Sequence, residues 1–323
     1  MDFRTNAIIS PSSWRISHRS ALLLLGSCFA DNIGTRLRDR LFNISVNPLG
    51  TLYNPASIRQ CVERIASGNP FVPADIFPYG DLYHCFECHS RLSGTDAVSM
   101  LDNLNNIVEK EHNRLKKTDT VILTFGTAWI FETVDTATIV ANCHKLPANR
   151  FIRRRLSIKE CIHHISETIN AIRQTIPDAR ILLTVSPVRH LADGLHGNQL
   201  SKSTLLLAVD NIVETFGQTD YFPSYELLID DLRDYRFCAA DMLHPTETAS
   251  DYIFERFSDT FFSSETVSLG ARCNKTTRRM RHRQLTTDTD AMRRFEDETR
   301  LQFDKLLAEA PFLAEAIDNI TQK

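Results

Sequence analysis

The run Leu22-Leu23-Leu24-Leu25, closed by Gly26, constrains the fold more than any other stretch of the chain. It is unbroken apolar sequence rather than an alternation, which suits a strand buried on both faces, as in parallel sheets lying beneath helices. Gly26 allows a sharp turn, and Ser27 and Cys28 stand where a helix begins, its first turns written Phe29-Ala30-Asp31-Asn32-Ile33-Gly34. Side chains at that point project from the carboxyl end of a strand, where open α/β sheets carry their chemistry, and a helix N-terminus favours negative charge. A thiol so placed is expected to ionise more easily than a free cysteine, as a nucleophile must. The plainer alternative is that Cys28 is a small buried apolar side chain.

Near the other end, Ala240-Asp241-Met242-Leu243-His244-Pro245 sets an aspartate and a histidine three residues apart, with a helical segment, Glu247 to Phe257, behind them. One turn of backbone brings side chains at that spacing to the same side. Histidine is the commonest general base, and a carboxylate fixes its tautomer and holds the imidazolium. An early nucleophile followed by a late, close Asp and His resembles the SGNH/GDSL hydrolase superfamily. Gly26-Ser27-Cys28-Phe29-Ala30 spells the motif of one branch, the GSCFA family. Further segments are similar to that family: Asn47-Pro48-Leu49-Gly50-Thr51-Leu52-Tyr53-Asn54-Pro55, Leu123 to Trp129, Ala141-Asn142-Cys143-His144-Lys145, Thr184 to His190, Tyr221 to Glu226 and Asp230 to Phe237. Together they cover Ala7 to Phe257.

The resemblance implies a three-layer α/β/α sandwich around a mainly parallel sheet of about five strands, flavodoxin-like in type. Residues 1–265 would form the GSCFA domain and residues 266–323 a basic and then helical C-terminal extension. It implies a hydrolase or acyltransferase in which Cys28 attacks an ester-linked acyl group on a carbohydrate or lipid, His244 takes and returns the proton, and Asp241 orients it. Aligning the superfamily's Gly-Asp-Ser with Gly26-Ser27-Cys28 sets a thiol where a hydroxyl is usual. That substitution suits transfer to another acceptor, or else Ser27 is the nucleophile on a shifted backbone. Gly50 and Gly126 would lend N–H groups to the oxyanion, although Gly50 also reads as a turn glycine after Pro48. Ala128 stands where the superfamily has an oxyanion-hole asparagine, and losing one such donor costs about a hundredfold in rate. Asn54 and Asn142 are the candidate replacements, and His144 is a candidate for binding substrate. The missing asparagine also supports an alternative, a fold kept to bind a glycan or acyl ligand without turning it over; the retained Asp241-His244 pair argues against it.

The remaining sequence is read from the residues themselves. With 323 residues and 42% hydrophobic content, the chain can bury a full core, and a net charge of -3 points away from nucleic acid and anionic membrane surfaces. Met1 to Asn6 has no signal-peptide core and no apolar run reaches spanning length, so reduced thiols in the cytoplasm are expected. Helices are expected over Asp31 to Leu41, Ala56 to Ser67, Asp96 to Lys117, Ser157 to Thr175 and Asn198 to Glu214. Strands are expected at Phe42 to Val46, Thr120 to Phe125, Arg180 to Val185 and Tyr221-Phe222. Arg189 and His190 follow a strand directly and are candidates to contact a polar or acidic substrate, His190 also rivalling His244 as base. Glu226 to Asp234 reads as a partly exposed acidic helix, where adjacent Asp230 and Asp231 point apart and so do not suit a glycosidase pair.

His84-Cys85-Phe86-Glu87-Cys88-His89, a Cys-x-x-Cys flanked by two histidines, offers four potential zinc ligands within six residues, but structural zinc sites draw on separated pairs and no second Cys-x-x-Cys exists. In an extended chain Cys85 and Cys88 would face opposite ways, so a loop or hairpin is preferred, with no metal and no cofactor. Beyond Phe262, Arg272 to Arg283 is basic without an apolar period, and Asp288 to Ile320 carries Phe295, Leu301, Phe303, Leu306 and Leu307 at helical intervals. Self-association through this helix, or a solvated face, is expected ahead of an anionic partner.

Overall fold

The computed structural model describes residues 5–281 and 288–321; the first four residues of the N-terminal segment, and His282 and Arg283 at the end of the basic stretch, lie outside them. In chain order the core elements are β1 (Ala21–Gly26), α1 (Cys28–Asp39), β2 (Asn43–Val46) and α2 (Pro55–Ser67). A hairpin, β3 (Ile76–Tyr79) and β4 (Leu82–Cys85), precedes α3 (Ala97–Leu115) and β5 (Thr120–Phe125). Three short strands, β6 (Trp129–Thr133), β7 (Ile139–Val140) and β8 (Phe151–Arg155), lead to α4 (Ile158–Thr175), β9 (Arg180–Val185), α5 (Gly194–Thr215) and β10 (Thr219–Tyr221). A single turn, α6 (Ser224–Glu226), runs into a π-helical turn at Leu227–Leu232; then come α7 (Glu247–Phe261), α8 (Ser264–Arg281), α9 (Thr289–Glu309) and α10 (Ala314–Thr321).

The central sheet has the order β10-β9-β5-β1-β2 and every pairing in it is parallel. The leucine run explains why it lies between two helical layers. Leu23 and Leu25 face Ile58 and Val62 of α2, Leu104 of α3, Ile165 of α4 and Leu205 of α5. Leu22 and Leu24 face Phe29, Ile33 and Leu37 of α1 and Ile253 and Phe257 of α7. Each leucine is buried, which stabilises the fold by roughly 1.5–3 kcal/mol per side chain. The fold is therefore a three-layer α/β/α sandwich with helices after it.

Several local expectations change. Helix α1 begins at Cys28 rather than Asp31, because the Ser27 side chain caps it by accepting from Phe29 N. Of the loop or hairpin expected around the Cys-x-x-Cys, β3 and β4 form the hairpin, and β6 to β8 make a further antiparallel sheet, order β7-β6-β8, that was not expected. At the Cys-x-x-Cys the chain turns instead of extending: Cys88 N donates to Cys85 O at 3.1 Å, and both thiols end up buried, 1% exposed. His84 Nδ1 is engaged by Ser93 Oγ at 2.7 Å, and among the described residues no three His, Cys, Asp or Glu side chains group as metal ligands. The acidic segment is a short helix and π turn, ended by Arg233 at φ 36°. Asp231 is buried there and accepts from Tyr252 Oη at 2.8 Å.

The tail packs on its own chain. Phe303, Leu306, Leu313 and Ile317 close over Leu41, at the far end of α1, together with Cys273 of α8. The buried side of α8 consists of Thr266, Gly270, Cys273, Thr276 and Thr277, which is why no apolar period marks it in the sequence. Asp39 pairs with Arg281, and the Arg19 guanidinium lies 4.2 Å over the Phe312 ring. The residues that suggested self-association, Phe303 and Leu306, face inward, while Leu301 is 52% exposed. Among the described residues no helix is long and apolar enough to cross a membrane.

Candidate active site

The turn that presents Cys28 is fixed from both sides of β1. Gly26 has φ +139°, and a Cβ there would lie 2.9 Å from Thr124 Cβ and 2.8 Å from the Thr124 carbonyl carbon, so only glycine lets β1 and β5 close at this point. Its N–H donates to Asn47 Oδ1 at 2.8 Å, and its carbonyl accepts from Leu52 N at 2.9 Å. Ser27 N donates to Thr124 O at 3.1 Å. Cys28 is then the first helical residue, half-buried, with an N–H that has no partner within the helix.

Electrostatics differ from the expectation of an easily ionised thiol. Burial pushes the Cys28 thiol up, and Asp31 on the next face of α1 pushes further; Lys202 and the amides of Cys28 and Phe29 pull down without prevailing. Ser27 is buried, and its hydroxyl caps the helix at 3.3 Å from Phe29 N, so the structure commits it to the turn rather than to attack.

Asp241 and His244 occupy the loop before α7. Cys238 and Pro245 bridge across it, Ala239 N donates to His244 O at 2.7 Å, and Met242 takes φ 60° to close the turn. Asp241 Oδ1 accepts from the amides of Leu243 and His244 at 2.9 and 3.0 Å, and Oδ2 meets His244 Nδ1 at 2.6 Å. Those bonds hold the Asp241 carboxyl down at about 2, so it is a carboxylate at any working pH. The pair faces solvent, with side-chain exposures of 50% for His244 and 45% for Asp241. Among the described residues no hydrogen bond engages His244 Nε2. Among the described residues no hydrogen bond joins Cys28 to His244. Between them, the Tyr53 ring meets the His190 ring edge-on at 5.6 Å.

The expected oxyanion donors are otherwise engaged. Gly50 N donates to Asn47 O at 2.8 Å and Gly126 N to Tyr53 O at 2.7 Å, so neither amide is free for an oxyanion. Gly50 matters for another reason: at φ +93° it lies against His89, where any side chain would collide. Asn54 caps α2 through Oδ1, 2.8 Å from Ser57 N, next to the Tyr53 carbonyl that also receives Thr127 N. It is thus beside the nucleophile turn with its amino group unengaged by any described residue. Asn142 and His144 are not in that position. Asn142 Oδ1 accepts from His144 N at 2.8 Å and His144 Nε2 meets Cys85 O at 2.7 Å, which ties both to the β4 turn instead of to substrate. Arg189 lines a cleft of about 410 Å³ that also takes in Leu191, Leu195, Leu228, Met242 and Leu243, along the flank of the Asp241–His244 loop. His190 is drawn down to about 4, mainly by burial and then by Lys202, so it is a neutral imidazole and a weaker base than its place in the sequence suggests.

Sequence reasoning missed Asp31, Tyr53 and above all Lys202. Thr51 Oγ1 donates to Asp31 Oδ2 at 3.1 Å, anchoring the carboxylate one turn after Cys28. Lys202 lies wholly inside the protein, donating to Gly126 O and Ser186 O, each at 2.6 Å. Nothing local marks it, since it stands in the middle of α5 among leucines and hydroxyl residues.

A similar solved structure is a carbohydrate esterase family 3 from Talaromyces cellulolyticus, at TM-score 0.35 and 9% identity, covering 78% of this chain and 98% of that one. No curated protein matches the chain. The GSCFA family matches residues 21–257, from the first strand of the sheet to the helix behind His244, and to that family the chain belongs.

Proposed function

We propose that the protein is an SGNH-type hydrolase or acyltransferase acting on an ester-linked acyl group, with Cys28 as nucleophile. The observation that carries this reading is the preformed Asp241–His244 contact of 2.6 Å, reinforced by two backbone amides on the same carboxylate. A binding site has no use for a tautomer-fixed imidazole, whereas acyl transfer does. Cys28 Sγ would pass its proton to His244 Nε2 and attack the ester carbonyl, forming an S–C bond; the ester C–O bond breaks as the leaving oxygen takes that proton, and water or another acceptor hydroxyl, giving its proton to Nε2, then breaks the S–C bond and returns a proton to Sγ. The Cys28 N–H at the helix opening and the Asn54 amino group are the donors left for the oxyanion. The cleft beside the loop would seat an apolar acyl portion, with Arg189 at its polar rim. Eight free thiols suit a reducing compartment, the cytoplasm.

The test is incubation with p-nitrophenyl esters of graded acyl length, followed by mass spectrometry of the Cys28 peptide. An acyl adduct on Cys28 that accumulates in His244→Ala, with turnover down about a hundredfold or more, supports the mechanism. A folded protein that yields neither adduct nor turnover across carbohydrate and lipid esters overturns it. The engaged amides of Gly50 and Gly126 favour the second reading, a binding protein for glycan or acyl ligands, which predicts saturable binding without an adduct.

A further inference from the structure

Lys202 is the most unusual charged group in the molecule. Its side chain has no solvent exposure, and its amino group sits between the carbonyls of Gly126 and Ser186, residues that end β5 and β9. The Tyr225 ring is 5.8 Å away. Among the described residues it has no carboxylate partner. Burial draws the Lys202 amine down to about 7, because an ammonium removed from water is costly and two carbonyl dipoles meet only part of that cost; an anion nearby would draw it back up. The other groups around it are Arg189 and His190, which do not supply a negative charge.

One neighbour can become an anion. Lys202 holds Gly126, and Gly126 packs directly on the nucleophile turn, since a Cβ on it would stand 3.3 Å from Ser27 Cβ. Cys28 opens the helix at that turn and interacts electrostatically with Lys202, each favouring the charged form of the other. Of the other titratable groups facing Cys28, Asp31 opposes a thiolate, while Tyr53, raised by burial and by Cys28 itself, stays a neutral phenol. We infer that Lys202 is a positioning residue whose buried ammonium is the counter-charge for the Cys28 thiolate. The inference rests on Cys28 being the working thiol, but thiolate formation is measured without any turnover, so its failure is separable from failure of the esterase reading.

The experiment is alkylation of Cys28 by iodoacetamide across pH in the full chain, read by mass spectrometry of the Cys28 peptide. The thiolate displaces iodide, an S–C bond forms, and the thiol proton goes to water. Lys202→Met is expected to move the midpoint of the rate profile up by about one unit or more, slowing alkylation near neutral pH about tenfold. Lys202→Arg, which keeps the charge, is expected to stay within about threefold of the original rate at that pH. A folded Lys202→Met protein with an unchanged profile overturns the inference, as does an equal shift in both variants. Should Lys202→Met fail to fold, the reciprocal measurement decides: the Lys202 resonance in ¹³C-lysine-labelled protein titrates at lower pH in Cys28→Ala than in the native chain. An unmoved Lys202 titration overturns the inference.

Discussion

Replacing Gly26 by alanine tests whether the nucleophile turn is built as described. Two terms add. The residue sits at φ +139°, a region open essentially to glycine, and forcing alanine into it costs about 1–3 kcal/mol. The new methyl also meets Thr124 Cβ at 2.9 Å and its carbonyl carbon at 2.8 Å, an overlap relieved only by parting β1 from β5, worth about 1–3 kcal/mol more by the usual cost of overpacking. Gly80→Ala isolates the first term in a similar form, because Gly80 has φ +59° and nothing within 4 Å of a Cβ. Urea denaturation of both variants is the assay. Gly26→Ala is expected to lose roughly 2–6 kcal/mol and Gly80→Ala about 1 kcal/mol. Equal losses would refute the steric part of the reasoning, and a Gly26→Ala protein within about 0.5 kcal/mol of the native one would refute all of it.

Ser27→Ala removes the cap of α1 and should cost about 1 kcal/mol in a thermal or urea melt while iodoacetamide still labels Cys28; loss of labelling with full stability would return Ser27 to the chemistry. His18, buried against Phe42 with Nε2 on Arg40 O, is lowered from 6.5 to about 4 by desolvation. A histidine kept neutral in the fold contributes stability that is fully present above 6.5 and lost as pH falls toward about 4, up to about 3 kcal/mol, so the urea midpoint should fall through that window and fall less in His18→Gln. Leu313→Ala, at a fully buried tail position, should cost about 2–5 kcal/mol in one cooperative transition; a separate early transition, leaving the main melt unchanged, would mean the tail folds apart from the sandwich.

What could be read in advance was what short segments encode. The leucine run had to be two-faced because no residue in it tolerates water, and Leu22/Leu24 and Leu23/Leu25 do divide between the two helical layers. The Asp241–His244 contact was legible for the same reason, its geometry being set within one turn. The ionisation of Cys28 was not, since it depends first on how deeply the turn is buried and then on Asp31 of the same helix set against Lys202 of α5, a residue distant in sequence. Gly50 N on Asn47 O is the turn that its place after Pro48 offered, whereas the Tyr53 carbonyl that engages Gly126 N is a contact no spacing rule supplies. A loop or hairpin could be expected around the Cys-x-x-Cys, but the bounds of β3 and β4 could not, because their burial runs along each strand instead of alternating.

Helix α1 runs from Cys28 to Asp39, a rod about 18 Å long, and the two ends serve different purposes. The first presents the thiol, and the second, through Asp39 and neighbouring Leu41, is the berth of the C-terminal helices. Damage to the tail would therefore be felt, along a stiff beam, at Cys28. A truncation that silences the protein would be read as evidence of a functional tail, when it had only loosened the mooring of the helix that carries Cys28.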